Sequence, residues 1–130
     1  MRITPLLSLV AVFVCLLCFS CSKDDDNDNG GNSRKLKYEI SGNFSGTVYA
    51  SYTTDVGGTN NEIVAPPWSK EITYQSNVTA AIIAISGFGG QPGQQVTVVV
   101  KRGNTQVSTP TTATADADGG FSKAAPVVQF

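Results

Sequence analysis

The chain has 130 residues, a formal net charge of −1, 15% charged residues and no His, and its three Cys all lie within the first 21 positions. It therefore has no Ser-His-Asp triad, no imidazole base and no His-ligated metal, and beyond Cys21 no thiolate nucleophile, zinc ribbon or intradomain disulfide. The near-neutral balance leaves no electrostatic footprint for nucleic acid, so what remains is a small binding, scaffolding or accessory protein.

Met1 and Arg2 form a short positive start, and an apolar run from Leu6 to Leu17 follows, ending at Cys18-Phe19-Ser20-Cys21. This is the pattern of a secretory signal peptide. A membrane-spanning helix needs about 20 apolar residues; this run is shorter, and acidic residues follow it. Its end resembles a bacterial lipoprotein signal, in which a small residue precedes the Cys that receives a diacylglycerol thioether and becomes the mature N-terminus. Ser20-Cys21 fits, whereas Cys15 and Cys18 follow Val14 and Leu17. At the −3 position the family prefers Leu, and this chain has Cys18. The resemblance implies a signal peptide over 1–20, lipid on Cys21 and a membrane anchored through it. Stable attachment takes two acyl chains, which a triacylated Cys exceeds.

Residues 21–33 read as a tether. From Ser22 to Ser33 there is no apolar residue to offset ordering entropy, which predicts disorder. A flexible chain of this length spans roughly 20 Å root-mean-square. Lys23-Asp24-Asp25-Asp26 resembles the export signal of lipoproteins moved to the outer face of the Gram-negative outer membrane, which implies surface exposure. Asp25 to Gly30 also matches the first half of an EF-hand loop, but the twelfth position is Leu36 instead of Glu. A solvated tether is the better reading.

Residues 34–130 change character: Val, Ile, Thr, Tyr and Ala dominate, with period-two runs at short spacing, which predicts an all-β domain. Lys35 to Ile40 alternates, with Leu36, Tyr38 and Ile40 inward, and Ser41-Gly42-Asn43 turns the chain. Thr47 to Tyr52 buries Val48, Ala50 and Tyr52. A loop from Asp55 to Asn60 leads to a short strand at Glu62-Ile63-Val64, stopped by Pro66-Pro67. Trp68 to Tyr74 is the next strand. Val78 to Ser86 follows, with Ala80 to Ile85 expected to be buried on both faces. Gly87 to Gly93 reads as a mobile loop. Gln95 to Arg102 points Val96, Val98 and Val100 inward, Gly103-Asn104 suits a tight hairpin, and Thr105 to Ser108 returns antiparallel. A polar stretch through Gly120 precedes a last strand near Phe121 to Gln129.

Seven or eight short strands predict an immunoglobulin-like antiparallel β-sandwich, with a closed barrel as the alternative. The lone Trp68 is read as a core or core-edge anchor in preference to a ligand platform.

Three segments carry a second resemblance: Lys37-Tyr38-Glu39-Ile40-Ser41-Gly42, Val48-Tyr49-Ala50-Ser51-Tyr52 and, most specific, Pro67-Trp68-Ser69-Lys70. They resemble the MmpS family progression "Tyr-Glu-Val-Thr-Gly … Thr-Tyr … Leu-Pro-Trp-Ser-Lys", and Val96 to Val107 resembles that family's later hairpin. The resemblance implies an extracytoplasmic β-sandwich acting as an accessory to MmpL-type exporters, hence an envelope protein or exporter as partner. Members usually have a transmembrane anchor and often a Cys pair; here a lipoprotein signal replaces the anchor, and Val98 stands at the first Cys position.

No carboxylate pair has a context that argues for glycosidase chemistry, and no cofactor or metal is expected. Asp116-Ala117-Asp118-Gly119 can contribute to a calcium loop but reads as a turn. Asn43-Phe44-Ser45 and Asn77-Val78-Thr79 match the glycosylation sequon and likewise read as turn chemistry. Three non-enzymatic roles stay open: a membrane-anchored envelope lipoprotein with an MmpS-like accessory role; a surface module that binds carbohydrate or a host ligand through Tyr49, Tyr74 or Phe88; and an adhesin subunit with an unpaired edge strand.

Overall fold

The computed structural model describes residues 33–130. The signal peptide over 1–20, Cys21 and the tether motif Lys23, Asp24, Asp25 and Asp26 lie outside the described residues. In the described chain every regular element is a strand: β1 Lys35–Gly42, β2 Thr47–Thr53, β3 Thr59–Val64, β4 Trp68–Thr73, β5 Ala80–Ala81, β6 Ile83–Phe88, β7 Gln95–Arg102, β8 Thr105–Gln106, β9 Thr111–Thr114, β10 Phe121–Ala124 and β11 Val128–Gln129. Eight of these have four residues or more, which matches the seven or eight read from the sequence.

Period-two alternation decides the layers. One sheet runs β4-β1-β7, with β8 and β9 both on the far side of β7; the other runs β10-β6-β2-β3. All pairings are antiparallel. Leu36, Tyr38 and Ile40 from β1 meet Val48, Ala50 and Tyr52 from β2 and Val96, Val98 and Val100 from β7, all of them buried as expected. Burying each of the larger aliphatic side chains contributes about 1.5–3 kcal/mol. The product is an antiparallel β-sandwich of the immunoglobulin-like kind. A short β5–β11 ladder closes one end, where the Phe130 ring packs 5.1 Å from Tyr74 and beneath the guanidinium of Arg34.

Four local expectations need correction. Val78 to Ser86 is not one doubly buried strand. Ile82 breaks it, its carbonyl accepting from the Thr53 N–H at 3.1 Å and its N–H donating to Thr53 Oγ1 at 3.1 Å. Ile82 is 39% exposed, whereas Ile83 is 1% exposed. Gly87 to Gly93 is tied down: Gly90 N–H donates to Gly119 O and Gly93 N–H to Ala115 O, both at 3.0 Å. Gly90 is required there, because a Cβ would sit 2.2 Å from the Phe44 ring. The polar stretch after the hairpin contains a strand, β9, with Thr111 and Ala113 buried. Thr is a good strand former whose low hydropathy hides it. The last strand is split into β10 and β11, with Pro126 between them.

Candidate functional site

The Pro67-Trp68-Ser69-Lys70 motif starts β4, after a cis Pro66-Pro67 bond. Strand alternation turns Trp68 and Lys70 toward Tyr52 of the opposite sheet. Trp68 is partly buried against the core, as a core-edge anchor, with its ring 6.1 Å from that of Tyr52. Lys70 Nζ lies 5.5 Å from the Tyr52 ring centroid, and interaction with the Tyr52 hydroxyl holds the Lys70 ammonium above its usual pKa. From β3, Asn60 and Glu62 face the same ring. Tyr52 donates to Glu62 Oε2 at 2.7 Å, and Asn60 Nδ2 donates to Tyr52 Oη at 2.7 Å and to Glu62 Oε2 at 3.2 Å. The motif thus covers the Tyr52 ring from the opposite sheet. It also stands between two clefts. One, of about 400 Å3, is lined by Tyr52, Thr54, Asp55, Asn60, Lys70 and Glu71. The other, of about 310 Å3, is lined by Pro67, Trp68 and Ser69 with Lys37 and Glu39.

The two outer faces of the sandwich differ sharply in charge. On the β4-β1-β7 face, Lys35 pairs with Glu71 at 3.2 Å, and Glu39 pairs with Lys37 at 3.2 Å and Lys101 at 3.0 Å. Lys101 first and Lys37 second hold the Glu39 carboxyl below its usual pKa. The outer positions of β10-β6-β2-β3 follow from the register: Tyr49 lies between Ser86 and Ile63, Ser51 between Ala84 and Asn61, and Phe88 opposite Thr47. None of these carries a charge. Ile63 and Phe88 are 68% and 58% exposed, and the Phe88 ring stacks on Tyr49 with centroids 5.9 Å apart and planes 25° apart. Tyr74, the third aromatic considered for ligand contact, does not join them. It is 2% exposed, and its hydroxyl donates to Thr53 O at 2.9 Å.

The remaining polar chemistry is engaged locally. Asp116 Oδ1 accepts from the N–H groups of Asp118 and Gly120, both at 3.0 Å, as an aspartate turn does. Among the described residues no group of three or more His, Cys, Asp or Glu is placed to hold a metal ion. Asn43 Oδ1, in the β1–β2 turn, accepts from the N–H of Gln95 at the start of β7 at 2.8 Å. Tyr49 and Phe88 are candidates from the sequence, but their neighbourhood with Ile63 on an uncharged face is not legible there, because the three come from separated strands that only the register brings together. No family model matches the chain, and no curated protein matches it in sequence.

Proposed function

We propose that this chain is a cell-envelope lipoprotein. Cys21 carries the lipid, Lys23, Asp24, Asp25 and Asp26 direct it to the outer face of the outer membrane, and residues 21–33 tether a non-catalytic sandwich. The sandwich binds an uncharged glycan on the outer face of β10-β6-β2-β3. The observation that carries this reading is the clustering of Tyr49, Phe88 and Ile63 on a face without charge, while the opposite face carries ion-paired Lys and Glu. Aromatic rings offer sugar rings a flat apolar surface, and the surrounding Ser, Thr and Asn side chains supply neutral donors and acceptors. Retention of the full chain on a panel of neutral and anionic glycans tests it. Binding to neutral members is expected, lost on Tyr49→Ala with Phe88→Ala and kept on Lys101→Ala. Binding confined to anionic glycans, or indifferent to the aromatic pair, contradicts it.

A second reading is an MmpS-like transport accessory with an exporter as partner. The groove lined by Pro67, Trp68 and Ser69 supports it, because it offers the motif a surface for contact. Cross-linking in the native membrane, with mass spectrometry of the captured proteins, separates the two. An export pump recovered through Ser69 or Lys37 favours the accessory role.

A further inference from the structure

An unpaired strand edge offers a row of N–H and C=O groups to any other strand, and folded proteins blunt such edges with charge, proline or brevity. Among the described residues, the edges of the two main sheets are β4, the β8–β9 side, β10 and β3. β4 follows Pro66-Pro67 and carries Lys70 and Glu71. Between β8 and β9 the chain is interrupted at Pro110. β10 has four residues, and its Lys123 Nζ reaches Thr112 O at 2.9 Å. β3 keeps only one such device, the inward-pointing carboxylate of Glu62, which is engaged by Tyr52 and Asn60. Its six residues pair with β2 without a bulge, it has no Pro or Lys, and Glu62 is its one charge. Ile63, its outward apolar residue, is the most exposed large hydrophobic side chain among the described residues.

We infer that β3 pairs antiparallel with β3 of a second copy of this chain, about a twofold axis through Asn61. Such an axis, perpendicular to the sheet, keeps the outer faces of both copies on one side. Opposed residues must then both point outward or both inward. The register centred on Asn61 sets Asn61 against Asn61, Thr59 against Ile63 and Asn60 against Glu62. Methyl groups meet apolar surface, amide meets carboxylate, and no like charges oppose. Centring on Glu62 sets two carboxylates against each other, which disfavours the pair. Centring on Asn60 opposes Ile63 to Gly57 and strands it outside the ladder. The strand is therefore complementary to itself in one register, as a closed twofold interface requires. The pairing joins the uncharged faces of two copies into one surface, and it stands independently of what that surface binds.

The test uses the full chain in its native membrane carrying Asn61→Cys, under mild oxidation, with linked peptides mapped by mass spectrometry. Directly opposed strand residues lie about 4.5–5.5 Å apart, within disulfide reach. A disulfide joining the two introduced thiols should form at least about tenfold faster than in Ser122→Cys, an exposed position on β10, because pairing raises the effective concentration. Asn61→Lys, which places two ammonium groups on the axis, should abolish chemical cross-linking of wild-type-like dimers, and Asn61→Ser should retain it. Equal rates for the two Cys variants, a thiol captured only by a different protein, or dimers indifferent to Asn61→Lys would overturn the inference.

Discussion

Tyr74 has one hydroxyl proton, and it goes to Thr53 O at 2.9 Å, so the 2.7 Å contact with Tyr38 is a donation from Tyr38 to the Tyr74 oxygen. The two hydroxyls are therefore unequal. Tyr74→Phe strands both the Tyr38 hydroxyl and the Thr53 carbonyl and should cost about 1–3 kcal/mol, whereas Tyr38→Phe removes one donor and should cost about 0.5–1.5 kcal/mol. Urea unfolding of the two variants measures the difference. Burial holds both phenols above their usual pKa. The unfolded chain ionises them near pH 10, so the stabilisation is complete below that pH and falls as pH rises, because the unfolded state releases protons first. Denaturation midpoints should drop from pH 9 to pH 11, with a shallower drop in Tyr38→Phe. The period-two pattern placed Tyr38 inward. It also sets Ile72 and Tyr74 on one face, but the hydroxyl relay between β1, the end of β4 and the end of β2 is nonlocal, and spacing alone does not show it.

Elements were legible where alternation was strict. β1, β2 and β7 put the expected residues in the core because a one-residue slip would have exposed every one of them. Legibility failed where polar Thr did the work of a strand, as in β9, and where an unbroken apolar run concealed a break. Ile82 and Ile83 are neighbours in sequence and opposites in burial, since Thr53 takes both backbone groups of Ile82. Ile83→Ala should cost about 2–5 kcal/mol, whereas Ile82→Ala should stay within about 0.5 kcal/mol of wild type. Thermal melts of the pair check it, and similar losses would contradict the split into β5 and β6.

At the scale of the whole molecule, charge is sorted to one face and aromatic surface to the other. The ion pairs are exposed or half-buried at the surface, and each contributes about 0–1 kcal/mol. Their sorting therefore does little for stability, and its consequence is to leave the β10-β6-β2-β3 face neutral. Cys21→Ala should abolish lipid labelling and release the chain from the membrane fraction; a variant still processed and still membrane-bound would contradict the anchor. Composition made the absence of His and domain Cys plain, but the neutral face needed strand order, since β2, β3 and β6 meet only through pairing. The most direct measurement of that face is hydroxyl-radical footprinting of the full chain in the intact envelope and after purification in detergent. Tyr49 and Phe88 should be protected in the envelope, and Lys37 and Lys101 should not. Equal labelling of Tyr49 and Phe88 in both states, or protection confined to the charged face, would contradict binding through the neutral face.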